Sequence, residues 1–170
     1  MNDKKTIADT ETRATAQDHH ALRLWLRVLA CTNLIEGHIR SRLRNQFDTT
    51  LPRFDLMAQL ERSPNGLKMG ELSKRMMVTG GNVTTIVDQL EREQLVQRLP
   101  VAGDRRSYRL TLTDAGRNTF ATMAQAHEAW VRELLSPLSS KEQGQLATLL
   151  GTLKTANPRP VRSSARKEKP

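Results

Sequence analysis

The hydrophobic period of this chain changes twice. Between about His19 and Leu95 apolar residues recur every three or four positions; after Leu95 they alternate with polar ones, and after Thr113 the helical period returns. One short stretch of alternation between helical segments confines the chain to a mainly α fold carrying a single small β-hairpin. In the first segment Leu24, Val28, Cys31, Ile35 and Ile39 form a stripe that Leu22, Trp25, Leu26 and Leu29 widen, predicting a helix from about His19 to Arg44. A stripe that broad is wider than one neighbouring helix covers, so it is expected to line a subunit interface or a ligand cavity as well.

Pro52 suits the first turn of a second helix. Phe54, Met57, Ala58 and Leu60 mark its inner side, and Ser63-Pro64-Asn65-Gly66 stops it. A short third helix is expected over about Met69–Met77, with Leu72 and Met76 inward. Thr79 is the expected N-cap of a fourth, whose inner stripe is Val83, Ile86, Val87 and Leu90. Val96–Leu99 then reads as a strand, Ala102-Gly103-Asp104 as a turn, and Arg106–Thr113 as the return strand. Tyr108, Leu110 and Leu112 share one face of that strand and Ser107, Arg109 and Thr111 the other. Thr113 caps a fifth helix carrying Phe120, Met123, His127, Trp130 and Leu134. Pro137 closes it, and Ser139-Ser140-Lys141-Glu142 opens a sixth, with Leu146, Leu149, Leu150 and Leu153.

Composition narrows the partner. In 170 residues there are 27 Lys plus Arg against 18 Asp plus Glu, a formal charge of +9, which favours a polyanionic partner, either nucleic acid or an anionic membrane face. No run approaches the ~18 apolar residues of a membrane span, and the first residues show no secretory pattern; a cytoplasmic location and no membrane partner are expected. A single cysteine, Cys31, excludes an internal disulfide framework. Residues 1–18 read as a disordered polar tail. Residues 157–170 read as a disordered basic one, with five basic residues, one glutamate and three prolines.

Two short helices followed by a basic hairpin make a winged helix-turn-helix. A helix fits the major groove, where each base pair presents its own donor and acceptor pattern. A hairpin tipped with arginine reaches the neighbouring minor groove, whose negative potential attracts guanidinium. The fourth helix has a wholly apolar inner stripe, while Gly80, Gly81, Asn82, Thr84 and Thr85 lie on its first turns. Glycines permit close backbone approach, and the polar side chains can bond bases or phosphates. A solvated polar face explains that helix alone equally well. The hairpin tips the balance, because Arg98, Arg105, Arg106 and Arg109 concentrate on one ribbon with only Asp104 against them. Asp104 is read as orienting a neighbouring guanidinium.

Leu67-Lys68-Met69-Gly70-Glu71-Leu72-Ser73, Val83 to Glu91, and Asp104-Arg105-Arg106 running to Leu110-Thr111-Leu112-Thr113-Asp114-Ala115-Gly116 together resemble the MarR family of bacterial transcription regulators, over about residues 20–155. The resemblance implies a six-helix homodimer. Its domain spans 19–156, with dimerisation helices at about 19–46 and 114–155, a winged helix-turn-helix at about 52–113, and one reading head per half of a pseudo-palindromic double-stranded operator. It implies that Arg106 enters the minor groove, with Arg98 and Arg105 beside it, and that Thr79, Gly81, Asn82, Thr84 and Thr85 form the major-groove face. The chain departs from the pattern at Gln94, where a helix-ending glycine is common.

Leu34-Ile35-Glu36, Arg40 to Arg44, Phe47, Leu51 to Leu60 and Val78 to Thr84 further resemble a branch that regulates aromatic-acid catabolism. That resemblance implies a repressor released by an aromatic acid or an aryl-CoA thioester. Arg40, Arg42, Arg44 and Arg53 offer cations to carboxylate or phosphate, with His38 nearby in sequence, and Trp25, Phe47, Phe54 and Met57 offer apolar walls. These residues read equally well as solvated arginines, or arginines on DNA, beside core aromatics.

Rival readings rest on less. Redox sensing by Cys31 needs an activated, accessible thiol, whereas Cys31 falls inside an apolar stripe and is expected to be buried. The four histidines, His19, His20, His38 and His127, show no ligand pair at i and i+4, so no metal is expected. No phosphate loop, nucleophile elbow or carboxylate pair with a histidine base is present, so neither an enzyme nor a cofactor is expected. Sequence-independent nucleic-acid or nucleoid binding is the remaining alternative, since charge alone serves it.

Overall fold

The computed structural model describes residues 19–76, 83–101 and 104–157. Among them six helices and one hairpin follow in the order α1 (His20–Phe47), α2 (Leu51–Glu61), α3 (Met69–Arg75), α4 (Val83–Arg92), β1 (Val96–Val101), β2 (Asp104–Leu112), α5 (Asp114–Leu135) and α6 (Ser140–Ala156). The chain divides into two compact units, residues 1–131 and 132–170. No helix among the described residues is long and apolar enough to cross a membrane.

In the first unit α1 runs three residues past the expected Arg44. Asp48 closes it in the left-handed conformation, φ 46°, with its N–H donating to Arg44 O (3.1 Å) while the Thr49 N–H donates to Leu43 O (3.3 Å). A short polar residue tolerates that conformation better than most, which is why the helix stops without glycine. Leu51-Pro52 then starts α2 with the proline in its first turn, where its missing N–H costs nothing.

Five α2 residues, Leu56, Met57, Ala58, Gln59 and Leu60, are consecutively buried, so α2 is enclosed on most of its circumference. Leu43 of α1, Leu72 of α3, Val87 and Leu90 of α4, Val96 of β1 and Leu110 of β2 complete this core. Each buried Leu or Met contributes about 1.5–3 kcal/mol relative to exposure. The helix-turn-helix thus takes its rigidity from α2 at its centre.

β1 and β2 pair antiparallel, Val96 opposite Leu112 and Arg98 opposite Leu110, with the register shifting between Pro100 and Val101. Both strands are longer than the alternation predicts, because Pro100 and Val101 extend β1 and Asp104 begins β2. The connector before α3 adds a rung to this sheet. Leu67 N–H donates to Leu110 O (3.1 Å), and Leu110 N–H donates to Leu67 O (2.8 Å). That approach requires Gly66, whose φ is +76° and whose added Cβ would meet Leu110 O and Thr111 Cγ2 at 2.9 Å. The same closeness buries Thr111, which the alternation puts on the opposite face from Leu110 and Leu112. Both faces of the return strand are therefore covered at its root.

In the second unit Ser139 caps α6. Its Oγ accepts from the Glu142 N–H (3.4 Å), and its own N–H donates to Glu142 Oε2 (2.8 Å), the reciprocal capping expected from the sequence. The Ser139 Oγ also donates to Glu142 Oε2 (2.6 Å), and this bond, with that of the Ser139 N–H, holds the Glu142 carboxyl below the usual carboxylate range. Gln143 Nε2 donates to Leu135 O and Leu138 O (3.1 and 2.9 Å) and ties α6 to the turn before it.

Candidate nucleic-acid interface

α4 is two-sided. Ile86, Val87 and Leu90 are buried, while Thr84 and Thr85 are exposed on its first turn. The apolar spacing i, i+1, i+4 buries one stripe, and the threonines are left on the opposite flank. Thr79, Gly81 and Asn82, expected on the same reading face, lie outside the described residues. The helix ends at Arg92 without glycine. Gln94 takes φ 59°, its N–H donating to Glu91 O, while Leu95 N–H donates to Leu90 O (both 2.9 Å). Gln94 O in turn accepts from Thr113 Oγ1 at 2.6 Å, so the residue before α5 also holds the turn that ends α4.

The hairpin arginines do not share one role. Asp104, Arg105 and Arg106 occupy the first positions of β2. Arg109 turns back to the body and donates to Gly66 O (2.8 Å). Arg98, expected from sequence on DNA, is engaged within the protein: Nη2 donates to Asp88 Oδ1 (2.5 Å), Nη1 pairs with Glu91 Oε2 (2.7 Å), and its guanidinium carbon stands 5.2 Å from the Tyr108 ring centroid. The Asp88 hydrogen bond raises the Arg98 pKa still further. Sequence reading took Arg98 by its strand position and could not see that a carboxylate pair three residues apart on α4 faces it.

The expected ligand set separates. Phe47, Arg53 and Met57 meet on a cavity of about 390 Å³, joined by Glu93, Thr119 and Met123, which sequence reading missed because they come from two further elements. A second cavity of about 620 Å³ shares Arg53 and Glu93 and adds Arg44 and Arg92. Arg53 Nη1 donates to Glu93 Oε1 (2.8 Å), and Nη2 pairs with the other carboxylate oxygen. The Arg53 Nε is buried without a partner.

The remaining members fall elsewhere. Trp25, 57 % exposed, is 22 residues from Phe47 on one continuous helix, roughly 33 Å away at 1.5 Å per residue. His38 is exposed, Arg40 pairs with Glu36 one turn back, and the Arg42 guanidinium lies 6.0 Å from the Trp130 ring. Phe54 is buried in an aromatic cluster with Phe120 and His127, at centroid distances of 5.4 and 4.9 Å. Burial pushes the His127 imidazole below the usual histidine range, so its ring joins the cluster neutral. Cys31 corrects another expectation: it is exposed, because none of the described residues of the first unit covers that part of α1. No group of three or more potential ligand side chains able to hold a metal occurs among the described residues.

Known proteins share this architecture. The MarR family model matches residues 49–108, from the start of α2 into β2. The transcriptional activatory protein BadR of Rhodopseudomonas palustris is 30% identical over 142 residues, 82% of this chain and 80% of BadR. The crystal structure of a MarR family transcriptional regulator from Silicibacter pomeroyi superposes with a TM-score of 0.70 at 33% identity, covering 84% of this chain and all of that one. A MarR family regulator from Streptomyces coelicolor, solved in complex with DNA, matches in fold with a TM-score of 0.72 at 23% identity, over 88% of this chain and 94% of its own. With a relative of 30% identity matched over four-fifths of its length, and a winged helix-turn-helix built from the same elements in the same order, the chain belongs to the MarR family of DNA-binding transcriptional regulators.

Proposed function

We propose that the protein is a homodimeric repressor of a pseudo-palindromic operator, released by a small aromatic acid or its CoA thioester. The observation that carries the DNA reading is the two-sidedness of α4: Ile86, Val87 and Leu90 of its apolar stripe are buried, while Thr84 and Thr85 stand exposed on the helix that precedes an arginine-bearing hairpin. In this reading Thr79, Gly81, Asn82, Thr84 and Thr85 face the major groove. Arg105 and Arg106 reach the minor groove, with Asp104 orienting them. Two such heads about 34–36 Å apart enter successive major grooves.

Arg106→Ala tests the wing. Its affinity for the selected operator is expected to fall by about 10-fold or more, with the slope of log K against log salt smaller by about one, measured by mobility shift on duplex selected by the wild-type protein from a random library. Equal affinity of the wild type for selected and bulk DNA, in place of the ~10³-fold or greater preference of a specific regulator, would instead identify a sequence-independent binder.

Effector binding is supported by the cavity lined by Phe47, Met57 and Arg53. Phe47 and Met57 offer an apolar wall, and the Arg53 guanidinium, paired with Glu93 at the edge of the cavity, is the cation a ligand carboxylate would compete for. A ligand releases DNA only by binding the non-DNA geometry more tightly, typically by ~1–3 kcal/mol, or 5- to 150-fold in operator affinity. Benzoate, 4-hydroxycinnamate and their CoA thioesters are expected to include one compound that raises the melting temperature and weakens operator binding within that range. Arg53→Gln is expected to remove both effects. Undiminished responses in that variant would take the site out of the mechanism.

A further inference from the structure

We infer that Arg98 is the residue that sets the angle of the hairpin against the reading helix, a positioning residue for operator recognition and not itself a DNA contact; the inference rests on the proposed operator binding by α4 and the hairpin. Three elements converge on this one guanidinium. Asp88 and Glu91 come from the C-terminal half of α4, Arg98 from β1, and Tyr108 from β2. Arg98 pairs across the sheet with Leu110, so Tyr108 is its diagonal neighbour, within reach of a long side chain. A planar guanidinium can fork to two carboxylates and still present a face to an aromatic ring, which a lysine ammonium cannot do in the same way. The side chain keeps only 32 % of its surface, and its Nε is buried.

Charge gives this clamp a second task. Thr84, Asp88 and Glu91 fall at i, i+4 and i+7, on one face of α4. The face that begins with a polar reading residue therefore continues into two carboxylates, which repel a phosphate backbone unless neutralised. Arg98 pairs with both and offsets one of their two charges while tying the hairpin root to them. The root of the hairpin is also held to the connector before α3, by the paired Leu67 and Leu110 backbone bonds and by Arg109 to Gly66 O; beyond the three-residue turn Glu93 to Leu95, Arg98 is the side chain that fixes it against α4 itself. Specific recognition needs helix and hairpin in two adjacent grooves at once, whereas sequence-independent attraction to phosphate does not.

The test compares Arg98→Met, Arg98→Lys and the double variant Asp88→Asn, Glu91→Gln with wild type, by fluorescence anisotropy on two duplexes across ~0.05–0.3 M salt, well below each variant's melting temperature. One duplex is the sequence the wild-type protein selects from a random library; the other is random. For Arg98→Met the affinity for the selected duplex is expected to fall by about tenfold or more and that for random duplex by less than threefold, with the salt slope unchanged. Arg98→Lys is expected to follow Arg98→Met although its charge is kept. The double variant is expected to weaken selected binding too, although it removes two negative charges. The inference is overturned if Arg98→Met loses the same factor on both duplexes and lowers the slope by about one, if Arg98→Lys binds as wild type, or if the double variant binds both duplexes more tightly. A wild-type protein that selects no sequence overturns the operator reading itself, an outcome distinct from any of these.

Discussion

Leu149→Glu together with Leu153→Glu is expected to halve the mass of the particle in solution and to lower operator affinity by about 10²–10⁴-fold, the gain that a second, linked binding event supplies. Leu146, Leu149, Leu150 and Leu153 stand 40, 64, 42 and 50 % exposed at i, i+3, i+4 and i+7 of α6. A helix does not keep such a stripe in water without a partner for it. The outer half of α1 has the same character, with Leu22, Leu24, Trp25, Leu29 and Leu34 exposed. A second copy of the chain is the partner that the proposed symmetric operator requires.

Both leucines are exposed and an i,i+4 pair contributes only about 0.2–0.5 kcal/mol to a helix, so most helix content by circular dichroism is expected to remain while sedimentation reports a monomer. Residual monomer binding is expected to resemble the weak, salt-sensitive attraction of any basic surface to DNA. A variant that stays dimeric and holds the selected duplex at wild-type affinity would dismiss this stripe as the interface.

Gly116→Ala is expected to destabilise the fold by about 3 kcal/mol, near the upper end of ordinary overpacking, and to lower the melting temperature by roughly 6–12 °C. Helical glycine replaced by alanine normally gains up to ~1 kcal/mol. Here the sign reverses, because a Cβ at Gly116 would lie 1.9 Å from Leu95 O and 2.9 Å from Leu95 C, and neither is the end of a flexible side chain. The junction cannot easily open. Gly116 N–H donates to Thr113 Oγ1 (2.9 Å), Thr113 N–H donates to Leu95 O (3.1 Å), and Thr113 Oγ1 donates to Gln94 O. One small residue thus lets α5 start against the turn that ends the reading helix.

Gly144→Ala is the internal comparison. None of the described residues lies within 4 Å of a Cβ there, so that variant is expected to melt at or above the wild-type temperature in the same calorimetric scan. A Gly116→Ala protein as stable as wild type would show that the junction yields.

Much of the architecture was legible along the chain because it is written in local chemistry. Alternation over Val96 to Leu112 identified the hairpin, and Pro52 and the Ser139–Glu142 pair marked helix starts that the structure reproduces. Where local reading stopped short, the deciding bond came from elsewhere. The end of α1 at Asp48 depends on a left-handed turn closed by Thr49 to Leu43, and the cover over Thr111 depends on Gly66 arriving from before α3.

The candidate site divides along the same line. Residue type and strand position put Arg98 among the hairpin arginines, yet they could not show its ion pairs, since Asp88 and Glu91 become its neighbours only when α4 folds against the sheet. Trp25 and Phe47 look like walls of one cavity until the continuity of α1 separates them by roughly 33 Å. Cys31 looks buried in an apolar stripe until the first unit leaves that part of α1 uncovered. Period, capping and turn chemistry act over a few residues and are carried by sequence alone. Partners, exposure and cavities depend on which distant surfaces meet, and only the tertiary structure decides that.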